Sequence, residues 1–270
     1  MLDSAPSISK SRNRLGAVMR QAGGDVISVG DVSTALRLDR SEAAKVLARW
    51  NRQGWVKRLR RGYYAPVALD VQGQTQVLED PWVMVPELFG EACIGGWSAA
   101  EHWGLTEQLF RSTCVLTTKP VQTKELTIQG LPFTLKHVKR SAFFGTRAVW
   151  RKRARVLVTT PEKTIIDMLD EPALGGGIRH VAECLESYLA RDDADSKALI
   201  ATADKLGNGA VFKRLGFLAE TLRGADTIVE ACRTRLSSGN AKLDPAIPCP
   251  RLITRWRLWV PANWMKARRT

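Results

Sequence analysis

Residues 28–66, SVGDVSTALRLDRSEAAKVLARWNRQGWVKRLRRGYYAP, constrain the fold more than any other stretch. They read as a helix, a tight turn at Leu36-Arg37-Leu38, a second helix and a basic hairpin. Asp39 is a good N-cap, and Glu42 follows at the spacing of a capping box. The second helix then runs to about Gln53, where Gly54 supplies a left-handed stop. At 100° per residue, Ala43, Ala44, Val46, Leu47 and Trp50 share one arc. Lys45, Arg49 and Arg52 share the opposite arc with Ser41 beside them, and Glu42 lies at its margin. One face can pack on the preceding helix while the other stays cationic. Trp55 to Leu59 alternates as a strand, Arg60-Arg61-Gly62 turns, and Tyr63 to Ala65 returns before Pro66 ends the pairing. Lys57, Arg58, Arg60 and Arg61 cluster near the tip. Helix, turn, helix and basic hairpin in that order form a winged helix-turn-helix, a layout that places its second helix in the DNA major groove. The helix face would read bases, and the wing would hold phosphates or enter a narrow minor groove.

Charge is distributed accordingly. The chain has 270 residues and a formal net charge of +14. The first 70 residues hold 13 Lys and Arg against 6 Asp and Glu, half the excess in a quarter of the chain. Lys136 to Arg155 is a second basic stretch, with Lys136, Lys139, Arg140, Arg147, Arg151, Lys152, Arg153 and Arg155 and no acid. The tail from Arg251 is a third, with six Lys and Arg and no acid. Each is read either as a nucleic-acid contact or as a solubilising surface. No apolar run reaches the ~18 residues of a membrane span, and Met1 to Arg14 lacks a signal-peptide core, so a cytoplasmic location is expected. Cys93, Cys114, Cys184, Cys232 and Cys249 form no C-x-x-C pair, and His102, His137 and His180 are far apart. No metal or cofactor site is expected, and the thiols are read as reduced.

Two parts are expected: a reader over residues 1–68, opened by a helix at about Ser7–Gln21, and a larger mixed α/β domain over residues 77–270, with a linker at Ala68–Gln76 between them. In the second part, Asp80-Pro81 opens a helix to about Phe89 and Ala92–Ile94 is a short strand. Ser98 opens a helix with Glu101 completing a capping box. Strands are expected at Thr113–Thr118, Lys124–Gln129, Phe133–His137 and Arg155–Thr159. Thr160-Pro161 opens a helix through Asp170. Helices follow near His180–Ala190, Ser196–Leu206, Ala210–Leu222 and Asp226–Leu236. Leu252 to Val260 alternates as one late strand. The class is mixed α/β rather than all-helical.

Enzyme-like constellations are weak. Gly96-Trp97-Ser98-Ala99-Ala100 faintly resembles a nucleophile elbow but lacks the final glycine, and its acid and base candidates, Asp170 and His180, lie in one helical region. Gly175-Gly176-Gly177 before a helix could cradle a phosphate, but no Lys-Ser/Thr follows, and a flexible connection is the simpler reading. Glu162, Lys163 and Asp167 offer pieces of a nuclease site without a second carboxylate strand. Asp167 sits among apolar residues and is read as part of a buried structural pair.

The order GWVKRLRRGYYAP, CIGGWSAAEHWGLTEQ, a strand pair, TTPEKTIIDMLD, a helical segment and a Trp-rich last strand resembles the AbiEi-type antitoxins over about Ser28 to Val260. Gly95–Trp103 and Thr160–Asp170 carry the likeness most specifically. These are transcriptional regulators of AbiE toxin–antitoxin systems in bacterial phage defence. The resemblance implies a non-enzymatic autorepressor that binds repeats in its own promoter. It also implies an α/β antitoxin domain that counters a nucleotidyltransferase toxin, with direct contact left open. On that pattern the recognition helix maps to Arg40–Gln53 and the wing to Lys57–Tyr64, adding Arg40 to the DNA-contacting set. No catalytic residue is implied. The alternative from another class is a DNA-processing enzyme with a nuclease-like site around Glu162 and Asp167. A third is a ligand-sensing regulator whose second domain holds an effector pocket.

Overall fold

A computed structural model describes residues 5–22, 26–67, 80–151, 154–222 and 225–264. The expected linker, Lys152, Arg153 and the tail beyond Trp264 lie outside the described residues. The chain is mixed α/β, as its pattern predicts, with three sheets among the described residues.

The first part runs α1 (Ala5–Ala22), β1 (Ile27–Ser28), α2 (Val29–Leu36), α3 (Arg40–Arg52), β2 (Val56–Arg60) and β3 (Tyr63–Pro66), with strand order β1-β3-β2, all antiparallel. Its core gathers Leu15, Val18, Ile27, Val32, Ala43, Val46, Leu47, Trp50, Val56 and Tyr64. Trp50 is 1% exposed, and burying roughly 200 Å² of aromatic surface contributes about 5 kcal/mol to holding α3 in place.

Three local readings change here. Ala44, expected on the apolar arc, is exposed, because Ala43, Val46, Leu47 and Trp50 alone fill the contact. The strand alternation expected from Trp55 breaks at a register shift between Arg58 and Arg60, so Lys57 and Arg58 are both exposed. Pro66 does not stop the pairing but sits in β3 opposite Val56, and Val67 N–H still donates to the Trp55 carbonyl at 2.9 Å. β1 reaches only Tyr63 and Tyr64, so among the described residues one side of β3 faces no strand at Pro66 and the missing N–H costs no ladder bond.

The second part opens with a 3₁₀ turn at Pro81–Met84 and α4 (Val85–Phe89), with Asp80 accepting from Trp82 N–H at 3.0 Å. A six-stranded mixed sheet follows, built from β4 (Ala92–Ile94), β5 (Thr113–Thr117), β6 (Glu125–Ile128), β7 (Leu131–His137), β8 (Thr146–Arg151) and β9 (Ala154–Thr159), in the order β6-β7-β5-β4-β9-β8. β8 was not expected from the sequence. Side chains alternate across this sheet. Ile94, Val115, Phe133, Leu135, Val156 and Val158 pack on Val83–Phe89, while Cys93, Cys114 and Leu116 meet Leu174 on the opposite face.

The helices are α5 (Gly96–His102), α6 (Pro161–Asp170), α7 (Ile178–Leu189), α8 (Ser196–Leu206), α9 (Gly209–Ala219) and α10 (Asp226–Arg233). Thr160 caps α6 with Pro161 at its first position, and the helix is buried on nearly every side among α5, α7, α8 and α9. The single late strand expected over Leu252–Val260 is instead a hairpin, β11 (Arg251–Ile253) with β12 (Leu258–Val260), folded at Arg257 with φ 49°. Short β10 (Ala241–Lys242) joins β12 in parallel, and the hairpin corner buries Trp256 completely.

The two parts touch. Val26 is buried in the cluster under the six-stranded sheet, Leu59 and Tyr63 of the β2–β3 hairpin pack against it, and Gln129 in the β6–β7 turn donates to the Arg58 carbonyl at 2.8 Å.

Candidate nucleic-acid interface

α2 enters through a complete capping box. Ser28 Oγ accepts from Asp31 N–H at 3.2 Å, and the Asp31 carboxylate accepts from Ser28 N–H at 2.7 Å. Its far end turns at Arg37, a non-glycine residue at φ 52°, and the Ser33 hydroxyl donates to the Leu38 carbonyl at 2.7 Å. Asp39 then caps α3 by accepting from Glu42 N–H at 2.9 Å. The reciprocal bond from Glu42, expected of a full box, is absent here; Glu42 is exposed. Gln53 ends α3, and Gly54 follows at φ 74°. Asn51 Oδ1 accepts from Arg58 N–H at 3.0 Å, tying β2 to the last turn of α3.

On this frame Ser41, Lys45, Arg49 and Arg52 form one exposed stripe along α3, about 16 Å long at 1.5 Å per residue. Arg40 is exposed at the first position of α3, where the helix dipole disfavours a cation by about 0.3–1 kcal/mol. Lys57, Arg58, Arg60 and Arg61 are exposed on the β2–β3 hairpin. Arg60 lies 4.7 Å from the centre of the Tyr63 ring, and Gly62 takes φ 85° to turn the hairpin. Seven ion pairs occur among the described residues, and none involves these eight cations. The larger part leaves all of them uncovered. Concentrated positive charge with no internal counterion suits a polyanion. Two residues outside the expected set lie beside these cations: Arg37, exposed in the turn before α3, and Asn51, which joins α3 to the β2–β3 hairpin. Arg37 could have been found as a further cation just before the helix, but Asn51 carries no signal without the register of the β2–β3 hairpin.

The other candidates have structural roles. Ser98 does not cap α5, which begins at Gly95–Gly96; its hydroxyl, buried, accepts from Cys114 N–H at 3.0 Å. Gly96 sits at φ 51°, and a Cβ there would lie 2.4 Å from the Leu174 carbonyl oxygen, so this approach requires glycine. Gly175–Gly177 is compact rather than a flexible connection. A Cβ on Gly175 would lie 2.4 Å from Val181, and the carboxylate of Asp244 accepts from Ile178 N–H at 3.1 Å. The place a phosphate would take at the α7 N-terminus is thus filled by the chain itself.

Lys163 and Asp167 form a buried ion pair, and Lys163 also faces the Phe144 ring. Burial pushes the Asp167 carboxyl up to about 6, against the pull of Lys163. Glu162 accepts instead from the Tyr188 hydroxyl at 3.3 Å. Among the described residues no three His, Cys, Asp or Glu groups lie together as metal ligands. All five cysteines are free, and burial pushes the Cys93, Cys184 and Cys232 thiols up to about 12, far from the reactive thiolate. His180 is held between the Thr106 hydroxyl at 2.7 Å and the Gly175 carbonyl at 2.6 Å. Among the described residues no helix is long and apolar enough to cross a membrane.

No family model matches the chain, and no curated protein sequence matches it. Among solved structures, the crystal structure of the RV2827C protein from Mycobacterium tuberculosis is similar to it with a TM-score of 0.60, over 92% of this chain and 90% of that one, at 15% identity. At that identity the likeness is one of fold, and it extends through both parts of the molecule.

Proposed function

We propose that the chain is a DNA-binding autorepressor and antitoxin, reading repeats in its own promoter through a winged helix at residues 1–68. The observation that supports this best is the set of eight exposed, unpaired cations on α3 and the β2–β3 hairpin. In this reading Lys45, Arg49 and Arg52 face base edges with Ser41, and Arg40, Lys57, Arg58, Arg60 and Arg61 hold phosphates or the minor groove. The Asn51–Arg58 bond and the contact of the wing with the sheet hold the two surfaces at one spacing, which limits the ordering entropy lost on binding.

The antitoxin half rests on the AbiEi resemblance and on the helical core that the larger part buries by itself, acting in the cytoplasm against a nucleotidyltransferase toxin. The two segments that carry the resemblance, Gly95–Trp103 and Thr160–Asp170, contribute to the packing centre of that domain. Their role is to hold its shape.

The test is a gel-shift and footprint titration of the full chain on its own promoter and on scrambled DNA, with and without Mg²⁺. Protection of repeats with at least 10³-fold preference over scrambled DNA at physiological salt is expected. Equal affinity for both sequences would overturn the reading, and Mg²⁺-dependent cleavage lost in Asp167→Asn would replace it with a nuclease. Co-expression of the neighbouring toxin gene with residues 77–270 or with residues 1–68 separates the two halves. Rescue of growth by the reader alone would refute this division of labour.

A further inference from the structure

The basic stretch from Lys136 to Arg155 is not one surface. Lys136 pairs with Glu171, and Arg140 lies 3.2 Å from Glu91. What remains is the β8–β9 hairpin, at the end of the six-stranded sheet. β8 has β9 on one side and, among the described residues, no strand on the other. Thr160 N–H donates to the Gly145 carbonyl, which sets the phase of this antiparallel pair. Residues 147, 149 and 151 therefore bond to β9, and the N–H and C=O groups of Thr146, Ala148 and Trp150 face outward. Ala148, in the middle of this edge, is exposed and small. Beside it Trp150 is 67% exposed, with no ring or cation partner among the described residues, and exposed Arg155 lies directly across the strand.

Natural edge strands are normally blocked. Here the guard is electrostatic and of one sign. Arg147, Arg151 and Arg155 lie on the hairpin without an acid, while Arg147 and Arg151 lie over Trp103 and Trp82. A second copy of this edge would bring like charges together. We propose that β8 is a docking edge for an acidic extended segment of another protein, which adds as a seventh strand, covers Trp150 and pairs its carboxylates with Arg155 and its neighbours. Unpaired main-chain donors and acceptors in alternation are satisfied by a peptide backbone and not by a phosphodiester chain, which favours a protein over a single-stranded nucleic acid. An exposed Trp next to Arg is the composition of an interface anchor. The edge is remote from the reader: the wing is held at the β6–β7 turn, and five inter-strand steps of about 4.8 Å put β8 about 24 Å across the sheet. DNA and the acidic segment can be held together. The inference does not depend on the DNA-reading assignment.

The probe is the labelled peptide Thr-Glu-Val-Glu-Val-Glu-Val-Thr, titrated into the full-length protein. The controls are its counterpart with Lys for Glu, and oligodeoxythymidine. The acidic peptide is expected to bind at least tenfold more tightly than the basic one and to slow amide exchange at residues 146–150. Trp150→Ala and Ala148→Pro should each weaken it at least tenfold, and Arg155→Glu should weaken it and remove the preference for acid. Promoter affinity should be unchanged in all three variants, so a failure here is distinct from a failure of DNA reading. If Ala148→Pro melts early, Trp150→Ala and the exchange pattern still decide. Equal binding of the two peptides, protection away from β8, Trp150-dependent binding of oligodeoxythymidine alone, or Trp150-dependent dimerisation would overturn the proposal.

Discussion

Replacing Arg60 and Arg61 together by Ala tests the wing through a quantity that a folding defect does not mimic. Both residues are exposed, neither makes an ion pair, and the lost contact of Arg60 with Tyr63 is worth about 0.5–1 kcal/mol at an exposed site. The fold should survive. Eight cations face outward on α3 and the wing. If about six of them reach phosphates, log K falls against log salt with a slope of about −5.4, or about 0.9 per phosphate. Losing two brings the slope to about −3.6. Raising salt from about 50 to about 200 mM should then weaken the wild type about 2,000-fold and the double variant about 150-fold. The assay is fluorescence anisotropy on promoter DNA at four salt concentrations, with thermal melts as control. Identical slopes for the two proteins, at equal melting temperature, would show that the wing does not touch DNA and would refute the reasoning.

Lys45→Ala and Arg49→Ala should each lose about 1–3 kcal/mol of promoter binding with little change in the melt; unchanged affinity for both would remove α3 as the reading helix. Asp167 should impose a pH dependence on stability. Its carboxyl, ordinarily near 3.8, is pushed up to about 6 by burial, so the folded state binds the proton more tightly. This group's contribution is therefore present at low pH and lost as pH rises from about 4 to about 6, by about 3 kcal/mol. In Asp167→Asn that fall should be missing, and parallel denaturation curves for variant and wild type between pH 4 and pH 7 would contradict it. Gly216→Ala should destabilise the helical core by about 1–3 kcal/mol, because its Cβ would lie 2.2 Å from the fully buried Trp256 ring; an unchanged melting temperature would show that the ring has room to move.

Local chemistry was legible in the sequence where one segment decides it. Asp39 and Gly54 bracket α3 because a cap and a left-handed stop are local properties, and Lys45, Arg49 and Arg52 share an exposed face because helical periodicity puts them there. Thr160-Pro161 opens α6, and the expected helices α7–α10 occur at close to their expected bounds. Two readings of capping boxes failed, because spacing alone does not decide where a polar side chain is held. Ser98 has the spacing of a cap, yet a distant backbone group, Cys114 N–H, claims its hydroxyl. Glu42 has the spacing to complete a box, yet it stays in solvent while Asp39 alone holds the turn.

What only tertiary structure decided are the pairings between segments far apart in the chain. β8 is invisible as a strand because its residues alternate poorly, and it forms because β9 folds back on it. The last strand splits into a hairpin because Trp256 is worth more buried in the helical core than continued along an edge. Asp244 reaches the start of α7 from 66 residues away and fills a place that the glycines alone suggested was open. The basic stretch of Lys136 to Arg155 divides in the same way. Lys136 and Arg140 meet acids supplied by other elements, and the hairpin that remains is left at the rim of the sheet. Composition sets the amount of positive charge, but the fold decides which of it is neutralised inside the molecule and which still faces a partner.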